Sequence, residues 1–236
     1  MYAAKNVVIT AGASGIGLAI RQAFEHAGAQ VYSVDLLPHD GFVADVGKKE
    51  ELDSFITYLE GRCPHIDVVV NNAPPPSKGI SNCTWDEFHY ALSVGAGAPF
   101  YLTQRLRARL SDGASIINIT STRAQMSQRE TESYSAAKGA LSALTHAMAI
   151  SLGPKVRVNA IAPGWIDTHQ GAHGQEDHQQ HPAGRIGRVE DVAQLVLYLC
   201  SDHARFITAE TITIDGGMSR QMIYHNDQGW CFTTPQ

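Results

Sequence analysis

The sequence predicts an α/β fold in which a doubly wound, parallel sheet of seven strands carries helices on both faces. Strand-like and helix-like segments alternate from residue 6 to residue 214. The strand-like segments are short apolar runs, which are typical of parallel strands buried on both faces. A helical segment separates each run from the next, and right-handed crossovers place such helices on both sides of a sheet.

Local composition predicts the elements in order. Apolar and β-branched runs predict strands at residues 6–10, 30–34, 66–70, 115–119, 156–160 and 210–214. The segments between them predict helices at 15–27, 48–59, 84–110, 132–152 and 189–200. Six of the seven expected strands are thereby located. No shift in composition marks a boundary, so residues 1–236 are expected to form one domain with an irregular loop at about 163–188 and a tail at about 219–236.

Composition and charge exclude several classes of function. The net charge is −5 and there is no run of Lys or Arg, which argues against nucleic acid or an anionic membrane as a partner. No apolar stretch approaches the ~20 residues of a membrane span. The first ten residues do not have the pattern of a signal peptide, so a cytoplasmic location is expected. The four cysteines are scattered without a CxxC pair, which favours reduced thiols over a disulfide framework or zinc site.

A glycine-rich segment predicts a dinucleotide site. Residues 10–17, with the sequence TAGASGIG, stand between the first strand and the first helix. Glycines there let the backbone approach a pyrophosphate, and the free N–H groups of a helix N-terminus attract its charge. A tight strand-to-helix turn also favours glycine, so the motif alone is weak. Its placement in a βαβ unit favours the dinucleotide interpretation.

Asp35 predicts the type of dinucleotide. It ends the second strand about 20 residues beyond the glycine turn, where a carboxylate accepts hydrogen bonds from the adenosine ribose. Leu36, Leu37 and Pro38 follow it, so no cation stands beside it to hold a 2′-phosphate. NAD is therefore the expected cofactor rather than NADP. The alternative is that Asp35 caps a turn.

Three residues predict acid–base chemistry. Tyr134 and Lys138 are four residues apart in a predicted helix, so their side chains share one face. A lysine ammonium beside a phenol stabilises the phenolate, so we expect the pKa of Tyr134 to fall from its ordinary value of about 10. Ser121 follows a strand at the edge where such sheets bind ligands, and its hydroxyl is placed to bond a substrate oxygen. A Tyr-x-x-x-Lys pair by itself is a common surface pattern.

Taken together, these residues resemble the short-chain dehydrogenase/reductase family over about residues 5–218. The resemblance rests on a series of matches in order along the chain: Thr10 to Gly17, Asp35, Asp45-Val46, Asn71-Asn72-Ala73, Asn118-Ile119-Thr120-Ser121, Tyr134-Ser135-Ala136-Ala137-Lys138, Arg157-Val158-Asn159, Pro163-Gly164 and Asp215-Gly216-Gly217. It implies a Rossmann-like sheet and an NAD-dependent oxidoreductase acting on an alcohol or carbonyl group of a small molecule.

The resemblance also implies a role for each matching residue. Tyr134 is expected to exchange the proton, Lys138 to hold the nicotinamide ribose and Ser121 to orient the substrate oxygen. The expected cofactor-binding residues are Gly12, Ser14, Gly15, Ile16, Gly17, Asp35, Asp45, Val46, Asn72, Ala73, Tyr134, Lys138, Pro163, Gly164, Ile166 and Thr168. Family members are usually homotetramers or dimers, so self-association as a homotetramer or dimer is expected, with the helices at 84–110 and 132–152 at an interface.

Three positions depart from the family pattern. Ala11 replaces the first glycine of the turn, and we expect its methyl group to be accommodated by a small backbone shift. Pro74 replaces the glycine after Asn-Asn-Ala. Gly95 replaces an asparagine that in the family helps to hold a water for proton relay. We expect the relay to continue through the backbone and water, so that Gly95→Asn would leave activity similar or raise it.

The loop at about 163–188 carries the signals for the substrate. Four histidines lie among glutamines and acids in it, which indicates a small polar substrate such as a polyol, a sugar or a hydroxy acid: His169, His173, His178 and His181. Their spacing fits no metal motif, and no metal is expected. Arg123 is a candidate for binding a substrate carboxylate; alternatively it is a solvated or structural arginine.

Two questions stay open at this stage. The apolar residues of the tail are expected to be buried, against a neighbouring subunit or against the site: Met222, Ile223, Tyr224, Trp230 and Phe232. The scaffold also allows non-redox chemistry, or an NAD-sensing role without turnover. The Ser121, Tyr134 and Lys138 set favours the oxidoreductase.

Overall fold

A seven-stranded parallel sheet organises the chain, as the sequence predicts. The computed structural model describes residues 2–169 and 171–233, without the side chain of Gln228. The main strands are β1 (Asn6–Thr10), β2 (Gln30–Asp35), β3 (Phe42–Val43), β4 (Ile66–Asn71), β5 (Leu110–Ile119), β6 (Val156–Pro163) and β9 (Thr211–Ile214), paired in the order β3-β2-β1-β4-β5-β6-β9. The short strands β7 (Ile166–Asp167) and β8 (Gly187–Arg188) pair separately.

The seventh strand of the sheet is β3, which the sequence does not locate. It has only two residues, and they pair in parallel with Val34 and Asp35 at the end of β2. Two residues are too few to show a periodic pattern. The prediction of a doubly wound, seven-stranded sheet is confirmed.

Helices cover both faces of the sheet. They are α1 (Gly15–His26), α2 (Lys49–Glu60), α3 (Trp85–Leu92), α4 (Ala98–Leu106), α5 (Glu132–Leu152), α6 (Gln175–Gln179) and α7 (Val189–Cys200). Successive residues of a strand point to opposite faces. Val7 and Ile9 therefore pack with the α1 and α7 layer, whereas Val8 packs with the α2, α4 and α5 layer. The bounds predicted for α5 and α7 agree with the structure.

The segment at 84–110 is interrupted, which corrects the prediction of one long helix. A capping box starts α3: the Thr84 hydroxyl accepts the Glu87 N–H at 3.3 Å, and the Glu87 carboxylate accepts the Thr84 N–H at 3.0 Å. A π-helical turn, Ser93–Gly97, then separates α3 from α4. Wider turns of this kind are frequent at functional sites. The helix ends early because Leu110 already pairs with Ile66 in the sheet.

Buried polar side chains attach α5 to the sheet. Asn71 Nδ2 on β4 donates to Asn118 Oδ1 on β5 at 2.8 Å, and Asn118 Nδ2 donates to Thr145 Oγ1 on α5 at 2.9 Å. All three residues are buried. An unpaired amide in a dry core costs about 1–3 kcal/mol, so these bonds oppose sliding or rotation of α5.

The C-terminal tail corrects another expectation. Its apolar side chains lie on the surface of the chain rather than in its core: Met222, Ile223, Tyr224, Trp230 and Phe232 are all exposed. Burial within the chain is therefore wrong for these residues, and packing against a second subunit remains a prediction. Among the residues that the structure describes, no helix is long and apolar enough to cross a membrane.

Candidate active site

One cleft of about 700 Å³ opens at the carboxyl ends of the strands. It is lined by almost every residue that the sequence nominates, which brings together segments from both halves of the chain. The nominated residues along it are Ser14, Gly15, Ile16, Asp35, Asp45, Val46, Asn72, Ala73, Ser121, Tyr134, Lys138, Pro163, Gly164, Ile166 and Thr168. The fold thus builds a single site from the glycine turn at one end and the acid–base residues at the other.

Of the nominated residues, Gly12, Gly17 and Arg123 do not line the cleft. A Cβ on Gly17 would lie 1.8 Å from the Ala11 carbonyl oxygen, and one on Gly12 would lie 2.8 Å from Ser33 Cβ. Both glycines permit close packing behind the turn. The sequence analysis expects both glycines to bind the cofactor; in the structure they would act only indirectly, by shaping the turn.

Ala11 adopts a left-handed backbone conformation, with φ +56°. That region costs an L-residue about 1–2 kcal/mol and is readily available only to glycine. The sequence analysis expects a small backbone shift to accommodate the methyl group of Ala11. The structure shows no such shift away from the left-handed region. Ala11 retains the conformation that favours the family's glycine, and its carbonyl accepts Asn72 Nδ2 at 3.0 Å.

The start of α1 is suited to a pyrophosphate. Leu18 is the first residue whose N–H bonds within the helix, to the Ser14 carbonyl at 3.0 Å. The N–H groups of residues 15–17 therefore have no intrahelical partner, and the first turn contains no acidic side chain. Free N–H groups and the positive end of the helix dipole favour an anion at this position.

Asp35 is buried at the end of β2 and already holds two backbone groups. Its Oδ2 accepts the Ala13 N–H at 2.8 Å and its Oδ1 accepts the Leu37 N–H at 2.9 Å. Each carboxylate oxygen retains a second lone pair for a ligand hydroxyl. Leu36 and Leu37 are exposed and apolar. The turn-capping and ribose-binding interpretations of Asp35 are thus compatible with each other.

Tyr90 is a cleft residue that the sequence does not reveal. Its hydroxyl donates to the Asp45 carboxylate, at 2.9 Å from each oxygen. Burial and that carboxylate raise the pKa of Tyr90 to about 12. The contact joins α3 to the loop after β3 across 45 positions of sequence, so no local signal predicts it.

Lys138 is almost fully buried at the end of the cleft that Ser121 and Tyr134 also line, which we call the catalytic end. Its Nζ donates to the Ile119 carbonyl at 2.6 Å and lies 5.7 Å from the centroid of the Tyr134 ring. Burial lowers the pKa of Lys138 to about 7. A lysine with this pKa is partly neutral at physiological pH, which weakens any attraction it exerts on a phenolate.

The structure corrects the expectation that the pKa of Tyr134 is lowered. Burial raises its pKa above the ordinary value, and the Ser121 hydroxyl and the Arg123 charge partly oppose this effect. Ser121 is buried at the end of β5, and its Oγ accepts the Arg123 N–H at 3.1 Å. In this arrangement the charge that favours the phenolate comes from Arg123, not from Lys138.

Gly95 lies where α5 and the π-helical turn are closest. A Cβ at this position would lie 2.7 Å from Ala137 Cβ and 3.3 Å from Pro75 Cγ. Ala137 directly precedes Lys138. An asparagine at this position would therefore force Ala137 or the π-helical turn to shift, which argues against the expectation that Gly95→Asn leaves activity similar or higher; the effect on activity stays a prediction.

Ser133 fastens the proline loop to the start of α5, and its part in the site is not evident from the sequence. Its buried Oγ donates to the Pro76 carbonyl at 3.0 Å and accepts the Lys78 N–H at 2.8 Å. Pro74 and Pro76 line the cleft, and Tyr134 follows Ser133 directly. One hydroxyl thus connects the cleft wall to the helix that carries Tyr134.

The histidines of the loop at 163–188 differ in their surroundings: His181 is buried, His173 and His178 are partly buried, and His169 is exposed. His173 stacks edge-on against Trp165 at 5.5 Å between ring centroids, and its Nε2 lies 3.2 Å from an Asp167 oxygen. His169 lines the cleft. Within residues 2–169 and 171–233, no group of three or more His, Cys, Asp or Glu side chains is arranged to hold a metal ion.

Comparison with known proteins shows which family the chain belongs to. A family model described as enoyl-(acyl carrier protein) reductase matches residues 10–219. An uncharacterized oxidoreductase of Thermotoga maritima is 36% identical, over 95% of this chain and 99% of its own length. A solved apo SCOR enzyme from Clostridium thermocellum is 42% identical, with a TM-score of 0.92 over 98% of this chain and 99% of that one.

A third similar protein bears on the cofactor. The crystal structure of a blue fluorescent protein from a metagenomic library, in complex with NADPH, is 25% identical, with a TM-score of 0.84. It covers 92% of this chain and 98% of that one. The same overall fold therefore accepts a phosphorylated dinucleotide in that protein.

Substitution of Gly95 tests the close packing beside Lys138. We expect Gly95→Ala to lower the free energy of unfolding by about 1–3 kcal/mol, because the new methyl group overlaps Ala137. Gly97→Ala is the matched control: its Cβ would lie 3.7 Å from the nearest atom, the Leu92 carbonyl oxygen. This control should be neutral or stabilising by up to about 1 kcal/mol. Urea unfolding measures both, and equal effects would contradict the steric argument.

The pH dependence of stability tests the buried lysine. The pKa of Lys138 is about 7 in the fold and 10.5 in the open chain. Between these values the unfolded chain holds the extra proton, so raising the pH stabilises the fold, by at most about 1.4 kcal/mol per pH unit. Lys138→Met should remove this component of the slope. An unchanged slope from pH 7 to 10 would mean that the lysine is not protonated differently in the two states.

Proposed function

This chain is an oxidoreductase of the short-chain dehydrogenase/reductase family, and we propose that it uses NAD(H) to interconvert a secondary alcohol and a ketone or aldehyde. The observation that carries the proposal is the convergence of Ser121, Tyr134 and Lys138 on the cleft that also contains Asp35. A protein that only senses a nucleotide has no need of an acid–base group at the far end of such a cleft.

The residues present fit the proposed cofactor. The free N–H groups at the start of α1 suit the pyrophosphate, and the spare lone pairs of Asp35 suit the adenosine ribose. Asn72 and Ala73 border the middle of the cleft; Pro163, Gly164, Ile166 and Thr168 border its other wall. These residues would hold the dinucleotide in an extended form.

The charge on Asp35 favours NAD over NADP. A buried carboxylate repels a 2′-phosphate, and the leucines beside it offer no cation to offset that repulsion. The NADPH-bound neighbour shows that the fold does not decide the cofactor. The preference therefore depends on this one side chain and the two that follow it.

In the proposed mechanism the chain's residues handle the proton. NAD supplies the hydride acceptor when bound. Tyr134, as the phenolate, takes the hydroxyl proton of the alcohol, and Ser121 holds the same oxygen while the carbonyl forms. In the reverse direction the tyrosine returns the proton. Lys138 would hold the ribose beside them, and Arg123 stabilises the phenolate by its charge.

The proposal also covers the class of substrate, the self-association of the chain and its location. The polar, histidine-containing loop favours a small polar substrate, either a polyol, a sugar or a hydroxy acid. The exposed apolar side chains of the tail favour self-association as a homotetramer or dimer. All four cysteines are free thiols, which suits a reducing compartment such as the cytoplasm.

A spectrophotometric assay tests the reaction. We expect nicotinamide reduction with NAD and at least one member of a panel of polyols, sugars and hydroxy acids. Tyr134→Phe should lower kcat by roughly 100- to 10,000-fold, since it removes the acid–base group, while NAD binding measured by calorimetry stays close to wild type. NAD binding without turnover on any substrate would instead favour non-redox chemistry or a sensing role.

Substitution of Asp35 tests the cofactor preference. Asp35→Asn keeps the shape but removes the charge, so kcat/KM for NAD should fall about 10- to 100-fold and the ratio of NADP to NAD activity should rise. Asp40→Asn serves as the matched control, because it removes a carboxylate of the same loop, one that pairs with Arg21 and does not line the cleft. A wild-type enzyme that prefers NADP, or an unchanged ratio in Asp35→Asn, would contradict this assignment.

A further inference from the structure

Arg123 places a permanent positive charge beside the ring of Tyr134. It lies in the 3₁₀ turn Thr122–Ala124 that directly follows Ser121, and its N–H bonds the Ser121 Oγ at 3.1 Å. Its guanidinium carbon lies 5.9 Å from the centroid of the Tyr134 ring. An arginine held in this way stays charged at any working pH.

Among the residues that the structure describes, no carboxylate pairs with this charge. The hydrogen bond of the Arg123 side chain goes to the neutral amide oxygen of Gln128, which is exposed. The acids that follow in sequence are bound elsewhere: Glu130 accepts the Ser81 N–H and Glu132 accepts the Ile80 N–H, both at 3.1 Å. Across the described ranges, 2–169 and 171–233, Arg123 takes part in no ion pair.

The charges in the cleft are separated along its length. The acidic residues that line it, Asp35 and Asp45, belong to the adenosine end. Lys138 lines the catalytic end, and Arg123 stands next to Tyr134. A substrate with a negative charge close to its carbinol carbon is attracted to this end, whereas a neutral polyol or sugar is not.

We propose that Arg123 binds the carboxylate of the substrate, which makes the substrate a small hydroxy acid or the corresponding oxo acid. This inference rests on the proposed function and selects one of its three substrate classes. A guanidinium binds a carboxylate through two parallel N–H···O bonds. The proposal places the substrate carboxylate on the Arg123 side of the Tyr134 ring, one or two carbons from the oxygen that Tyr134 bonds. To bind the substrate carboxylate, the Arg123 guanidinium must give up its hydrogen bond to the exposed amide of Gln128.

Two substrates that differ by one charge test this proposal. 3-Hydroxybutyrate and its methyl ester are offered to the enzyme with NAD, and lactate with methyl lactate forms a second pair. The wild type should prefer the acids. In Arg123→Gln, kcat/KM for the acids should fall about 10- to 100-fold more than for the esters. Any effect of Arg123 on Tyr134 applies to acid and ester alike and cancels in their ratio. Arg123→Lys should retain part of the preference.

Arg129→Gln provides the matched control. It removes an exposed arginine from the same loop, six residues away, and should leave the acid-to-ester ratio unchanged. Calorimetric titration of the enzyme–NAD complex gives a readout without turnover: malonate should bind the wild type more tightly than Arg123→Gln, and dimethyl malonate should bind both equally.

The outcomes separate this inference from the proposed function. Equal losses on acid and ester in Arg123→Gln, or malonate binding that does not depend on Arg123, would overturn the carboxylate site. Turnover of polyols or sugars but of no hydroxy acid would do the same and leave the dehydrogenase intact. Turnover of nothing in either class, with NAD or NADP, would be a failure of the proposed function itself.

Discussion

The attachment of α5 to the sheet is the constraint on which the site depends. A chain of buried hydrogen bonds runs from Asn71 through Asn118 to Thr145, whose hydroxyl then donates to the Leu141 carbonyl at 2.9 Å. Tyr134, Lys138, Leu141 and Thr145 are spaced by four, three and four residues, so they share one face of the helix. Bonds at one end of this face therefore determine where the acid–base pair lies at the other end, beside Ser121.

The close approach of α5 also explains how the chain departs from its family. Gly95 and Ala137 are both small because the π-helical turn and the helix meet at that point, and Pro75 fills the remaining space. The glycine that replaces the family's asparagine thus lies against Ala137 and Pro75. Ala11 shows the opposite case: the backbone keeps the left-handed conformation that glycine favours, and the alanine bears the strain.

How much the sequence predicts depends on whether the cause is local. The helices Glu132–Leu152 and Val189–Cys200 are predicted to the residue, because their apolar patterns are long and uninterrupted. The interruption at Ser93–Gly97 is missed; its Gly95 packs against Ala137, which is distant in sequence. Most of the cleft residues are found through motifs, whereas Tyr90 and Ser133 depend on partners 45 and 55–57 positions away. The exposed tail is missed because apolar composition does not say which surface covers it.

The distribution of charge along the cleft connects the cofactor with the substrate. Burial lowers the pKa of Lys138 to about 7 and raises the pKa of Tyr134, so the positive charge of Lys138 is weakened at this end of the cleft. The charge of Arg123 partly opposes the rise in the pKa of Tyr134, and the same charge attracts a carboxylate because phenolate and carboxylate are both anions. Asp35 acts in the reverse sense at the adenosine end, where it disfavours an added phosphate. One separation of charge, negative at the ribose end and positive at the tyrosine end, is thus the common basis of both proposals, the unphosphorylated dinucleotide and the anionic substrate.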